Sequence, residues 1–369
     1  MTTREEFLVK EKRLIGLLEA QNLKAILLKK QANFSWLTGG SLNMVGIATE
    51  MGVTSILVTK EARYLIANKI EAARMMDEEG LKELGFELLE YEWHVEREAE
   101  LVRKIAGDLS QVGADVGFGQ CRNLDAELKK LRYSLTENEI ERYLFLGEKL
   151  SQAVEKVMLR IKPGDTECEI AGRIGAELWK GRIDPTGFMV AADDRIYLYR
   201  HPIPTERMIK RYVMVSVNAR YKGLITTITR LLHFGKPEAK LLKQFQDNLE
   251  IDCRMAEATK PGVPAKVPFE VGLETYRKLG YQDEWQLHHQ GGAMGYYARD
   301  IKVTSETNEV IFENQAYCWN PSISGTKTED GIIVTANGQL FITKPVIYPK
   351  VELEVNGTTM IKPGLLIID

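Results

Sequence analysis

The chain has 369 residues, 44% of them hydrophobic, and 49 basic against 52 acidic side chains give a net charge of -3. That length exceeds the roughly 250 to 300 residues at which a single core stops growing, so two domains are expected. Balanced and dispersed charge excludes the electrostatic footprint of a nucleic-acid binder or of a protein held on an anionic membrane; no nucleic acid and no membrane are expected as partners, and a small-molecule substrate is.

Cys121, Cys168, Cys253 and Cys318 lie far apart with no CxxC pair, the pattern of reduced thiols in a cytoplasmic protein. No stretch approaches the roughly 18 consecutive apolar residues of a membrane span.

In chain order, residues 4–21 fit an amphipathic helix with Phe7, Leu8, Leu14, Ile15, Leu17 and Leu18 on one side. Residues 25–28 read as a buried strand, 32–40 as a loop, 54–59 as a strand, and the alternation continues through 62–67 to a strand at 116–118. These make an α/β first domain, residues 1–132. Thr136 followed by Glu139 then carries the signature of a helix start, and a long helix is expected to about residue 160. Thr166 and Glu169 form a second capping box that opens a helix to about residue 180.

Between these helices lies Lys162-Pro163-Gly164, and the same order recurs as a helix ending near Thr259, Lys260-Pro261-Gly262, and a helix over 269–279. A third match, Lys362-Pro363-Gly364, stands near the C-terminus. The flanking helices and following strands point to a duplicated half-domain; the alternative is three unrelated turns, which Pro-Gly favours anyway.

Residues 213–219 and 224–230 alternate as two strands around Tyr221-Lys222-Gly223, with hydroxyls where a catalytic hairpin would carry carboxylates. Asp184, Asp193, Asp194 and then His201 precede it. Pro202 keeps His201 out of a helix, and an imidazole with a pKa near 6.5 suits a general base; a surface loop histidine is the alternative. Residues 287–300 crowd His288, His289, glycines, Tyr296, Tyr297 and Arg299 without helix or strand period, as a binding wall does, although Arg299 and Asp300 could also pair locally. In residues 319–330, Glu329 precedes an apolar strand at 331–335, as a holder of a cationic group or as an ordinary solvated acid.

Together these clusters resemble the creatinase and prolidase family of the pita-bread fold, which includes aminopeptidase P and methionine aminopeptidase. The resemblance spans the whole chain and implies a mixed α/β (α+β) architecture: an N-terminal creatinase-type domain over 1–132, then a pseudo-two-fold catalytic domain over 133–369. Metal-dependent members hold two metals with Asp, Asp, His, Glu and Glu. Against that pattern, Ser216 and Thr227 stand at the two aspartates, His288 keeps the histidine, Asn320 replaces the first glutamate, and Glu329 keeps the last. Gly295 stands where a further histidine is expected.

Two of five ligands are kept, and hydroxyl and amide oxygens do not offset the charge of two divalent ions, so no metal and no other cofactor is expected. The motif resemblance is closest to creatinase, the metal-free branch, although Gly295 and the lack of an arginine in residues 40–51 argue against creatine itself. The resemblance implies a metal-independent hydrolase acting on a C-N bond of a small amidine, urea-like or amide compound. In it His201 would be the base, Glu329 would grip a cationic nitrogen group, and His288 would be a second proton-transfer or polar group. Tyr296, Tyr297, Arg299, Asn320, Ser216 and Thr227 would line the substrate. The alternatives are an Xaa-Pro dipeptidase or aminopeptidase P-like metallopeptidase, and an inactive member that binds a ligand or partner. A homodimer is also implied, with residues 34–51 as the contact loop.

Overall fold

A computed structural model describes residues 1–369, and the chain divides into two compact units, residues 1–139 with 222–224, and residues 140–221 with 225–369. No helix is long and apolar enough to cross a membrane, and all four cysteines are free.

The first unit is built on a six-stranded sheet whose spatial order is Glu87–Tyr91, Arg63–Asn68, Met51–Val58, Ala25–Lys30, Val112–Ala114, Arg122–Asn123. The opening helix, Thr3–Ala20, starts on a capping box between Thr2 and Glu5. Its buried Lys10 ammonium sits 2.6 Å from Glu6 and 2.8 Å from Glu139, so the buried charge is compensated on both sides.

Two expectations fail in this unit. The segment read as a loop is the helix Gln31–Thr38, and every one of its side chains is buried. A helix covered on all sides has no polar face, so no amphipathic period betrays it; Gly39, at φ +74°, ends it in the left-handed conformation. The strand placed at 116–118 lies instead at Val112–Ala114, pairing parallel with Ala25 to Leu27. It stops at buried Asp115, whose carboxylate accepts from the Lys29 and Lys30 backbone N–H groups at 2.8 and 2.9 Å and from Asn33 Nδ2 at 2.9 Å.

The two helices expected after capping signals are Glu137–Met158 and Glu167–Trp179, and the two expected around Lys260-Pro261-Gly262 are Ala239–Ala258 and Lys266–Lys278. Thr166 and Glu169 close the expected capping box. The main sheet runs Gly291–Met294, Gln315–Trp319, Asp330–Thr335, Leu224–Phe234, Tyr212–Tyr221, Asp184–Ala192. Three strands from each half of the second unit thus meet in the middle, where Asp330 pairs antiparallel with Ile228.

The repeated Lys-Pro-Gly turns have matching hydrogen bonds. The Gly164 N–H donates to Ile209 O at 2.9 Å, and the Ile209 N–H returns to Asp165 O at 2.9 Å. The Gly262 N–H donates to Ile311 O at 2.9 Å, and the Ile311 N–H returns to Val263 O at 2.9 Å. Lys362-Pro363-Gly364 is different, since it ends the strand Thr358–Pro363. Duplication therefore accounts for two of the three turns. Beneath the sheet centre, Arg230 bridges Glu155 and Asp330, each at 3.0 Å, and Lys362 bridges Asp252 at 2.7 Å and Asp330 at 3.2 Å.

Candidate functional site

The strands Tyr212–Tyr221 and Leu224–Phe234 place hydroxyls on one spot of the sheet. Residues two apart on a strand share a face, which brings Thr227 and Thr229 to the same side of theirs. Ser216, on the neighbouring strand, donates to Glu329 Oε2 at 2.9 Å, and Thr229 Oγ1 lies 3.0 Å from Ser216 Oγ and 3.2 Å from the same carboxylate oxygen. Thr227 Oγ1 is 3.0 Å from Cys318 Sγ, a thiol that burial pushes up to about 12 and keeps protonated.

Glu329 is 2% exposed and holds two cations of the chain itself. Arg299 Nη2 donates to Oε1 at 2.8 Å, and Lys327 Nζ lies 3.0 Å from Oε2. Burial alone would raise this carboxyl, yet Lys327 and Arg299 hold it well below the usual carboxylate range. The expected partner of Glu329, a cationic group of a substrate, is thus already supplied from within. Arg299, expected to line the substrate, spends Nη2 on Glu329 and Nη1 on Ala298 O at 2.6 Å.

Next to this cluster stand three imidazoles. His201 leaves the short helix Arg195–Leu198 on an exposed loop that Arg200 anchors through Glu284 and, at 2.9 Å, Ser324 Oγ. His288 follows the turn Glu284–Leu287, and its carbonyl accepts from Gln290 Nε2 at 2.6 Å. Gly291, at φ +109°, lets the chain turn into its strand, where any side chain would collide with Cys318 O. His201 Nε2 and His288 Nε2 lie 2.9 Å apart, one N–H donating to the other's lone pair, and His288 stacks on His289 with ring centroids 4.5 Å apart.

All three are driven toward the neutral form, mainly by burial. Lys327 adds to this at His201 and His288, and Arg299 at His289, which falls to about 4. His288 Nδ1, His289 Nδ1 and Asn320 Oδ1 are buried without a hydrogen-bond partner in the chain. Tyr296 is buried and Tyr297 half-buried in the same segment. The gap bounded by Tyr199, Arg200, His288, Thr326 and Lys327 measures about 10 Å³, enough for one water.

These residues do not fit a pair of divalent ions. Ser216, Thr227 and Asn320 bring no charge, and Lys327 and Arg299 occupy both oxygens of Glu329. Gly295 has no side chain and so brings no ligand where a further histidine was expected. The nitrogens of His201, His288 and His289 lie within 4.8 Å of one another, but Lys327 repels positive charge at all three.

Lys327, Thr229 and Cys318 carry no role in the sequence reading. One signal for Lys327 was available: in extended chain, residues 327 and 329 face the same way.

Residues 145–340 match the model of Metallopeptidase family M24, and residues 11–143 that of the Creatinase/Prolidase N-terminal domain. An Xaa-Pro dipeptidase of Pyrococcus horikoshii is 24% identical over 356 residues, covering 91% of this chain and 97% of that protein. Among solved structures, an Xaa-Pro dipeptidase from Bacillus anthracis superposes with a TM-score of 0.77 at 20% identity, over 98% of this chain and 100% of that one. An X-Pro aminopeptidase from Thermotoga maritima does so with a TM-score of 0.75 at 20% identity, over 97% and 99%. The structural likenesses speak for the fold.

Proposed function

The chain belongs to metallopeptidase family M24, and from that premise we propose that it hydrolyses an amide-type C-N bond of a short peptide-like compound without a dinuclear metal centre. The relatives named as Xaa-Pro dipeptidases favour the peptidase alternative over an amidine or urea-like substrate, and Xaa-Pro dipeptides are the first class to test. The observation that carries the metal-free part is the saturation of Glu329 by Lys327 and Arg299.

In this reading His201 takes a proton from water as the water oxygen bonds to the carbonyl carbon. The same imidazole then delivers that proton to the nitrogen as the C-N bond breaks. Hydrogen-bonded to it, His288 fixes its orientation and its tautomer. The unpartnered Asn320 Oδ1 and His288 Nδ1 are polar contacts for the substrate.

A panel of Xaa-Pro dipeptides, simple amides and amidines, incubated with purified protein in chelator, tests this. Hydrolysis of a dipeptide, reduced at least a hundredfold in His201→Ala, is expected. Cleavage seen only after a divalent metal is added contradicts it. A second reading, binding without turnover, is favoured by the narrowness of the gap at Lys327, about 10 Å³. No turnover of any substrate, with a ligand-induced thermal shift lost in His288→Ala, supports that reading instead.

A further inference from the structure

The group that completes the surroundings of Glu329 Oε2 is an ammonium. Lys327 Nζ lies 3.0 Å from that oxygen and 3.3 Å from Ser216 Oγ, and its side chain is 3% exposed. Thr229 Oγ1 approaches the same carboxylate oxygen at 3.2 Å, so three oxygens converge on one small volume. Any other cation reaching Oε2 must expel the lysine or bury a third positive charge beside Lys327 and Arg299, and an uncompensated buried charge is strongly disfavoured.

We infer that Lys327 is a built-in cation, standing between Glu329 and Ser216 in the place a metal ion would take. Deleting its side chain leaves an oxygen-lined cavity that accepts a hard cation. Lys327 is thus a positioning residue: it fixes Glu329 and Ser216 and keeps metal out. The inference rests on the metal-free reading of the same site, but metal uptake reads it out, not turnover. Manganese is the probe, since carboxylate and hydroxyl oxygens suit it.

Manganese bound per chain is measured by equilibrium dialysis for the wild type, Lys327→Ala, Lys327→Met, Glu329→Gln, and Lys327→Ala combined with Glu329→Gln. Lys327→Ala is expected to bind manganese at least tenfold more tightly than wild type. Lys327→Met, which fills the volume without charge, and the double variant are expected to stay at the wild-type level. One manganese per wild-type chain, lost in Glu329→Gln, overturns the inference, as does a folded Lys327→Ala that gains no affinity. If Lys327→Ala does not fold, the melting temperatures of Lys327→Arg and Lys327→Met decide. Arg retaining the wild-type value while Met loses it supports the role of the charge, and equal values overturn it.

Discussion

Glu329 was legible in the sequence as a retained acid, but its neighbours decide its role. The resemblance to creatinase made it the partner of a cationic substrate group, whereas Lys327, two residues away, and Arg299, thirty away, already fill that role. The Lys327 contact was open to inspection through strand alternation; the Arg299 contact depends on how two distant segments meet and leaves no trace in spacing. At the same scale, burial and then Arg299 hold His289 at about 4 against about 6.5 in the unfolded chain. The native state therefore binds fewer protons than the unfolded state between these values. The contribution of His289 to stability is present above pH 6.5 and is lost as the pH falls toward 4. The urea midpoint is expected to drop from pH 7 to pH 4.5 by more in the wild type than in His289→Asn. Equal drops would contradict the assignment.

At the scale of elements, the hairpin kept the turn that the sequence announced, while its strands, Tyr212–Tyr221 and Leu224–Phe234, run longer than the expected 213–219 and 224–230. Lys222 and Gly223 both have positive φ, 48° and 84°, as a two-residue hairpin turn demands. Period-2 alternation and turn chemistry are local signals, so they survive in the sequence. The helix Gln31–Thr38 was missed because its burial on every side comes from the fold around it. Where the hairpin meets the strand Asp330–Thr335, Asp330 is shared by Arg230 and Lys362. Asp330→Asn leaves both cations short of a counter-charge in the interior, at a cost of about 3 kcal/mol. Urea unfolding measures it, and a loss below about 1 kcal/mol would show that Glu155 and Asp252 suffice for the two cations.

For the whole molecule, the internal echo was the most readable feature, because Lys-Pro-Gly marks the same structural joint in both halves. The third copy shows the limit of the signal, since a Pro-Gly turn also serves at the end of a strand. Membership of the family and its two-part architecture were legible from motifs spread over the chain, and the α/β fold follows them. The substrate class was less so: motif likeness pointed to creatinase, while overall similarity points to Xaa-Pro dipeptidases. Both agree on a C-N bond, and they part over metal. The most direct measurement is the turnover number on an Xaa-Pro dipeptide after exhaustive dialysis against chelator, compared with the same protein assayed in the presence of manganese. The account predicts equal rates within a factor of two, both abolished in His201→Ala; a rate that vanishes on chelation and returns with manganese would contradict it.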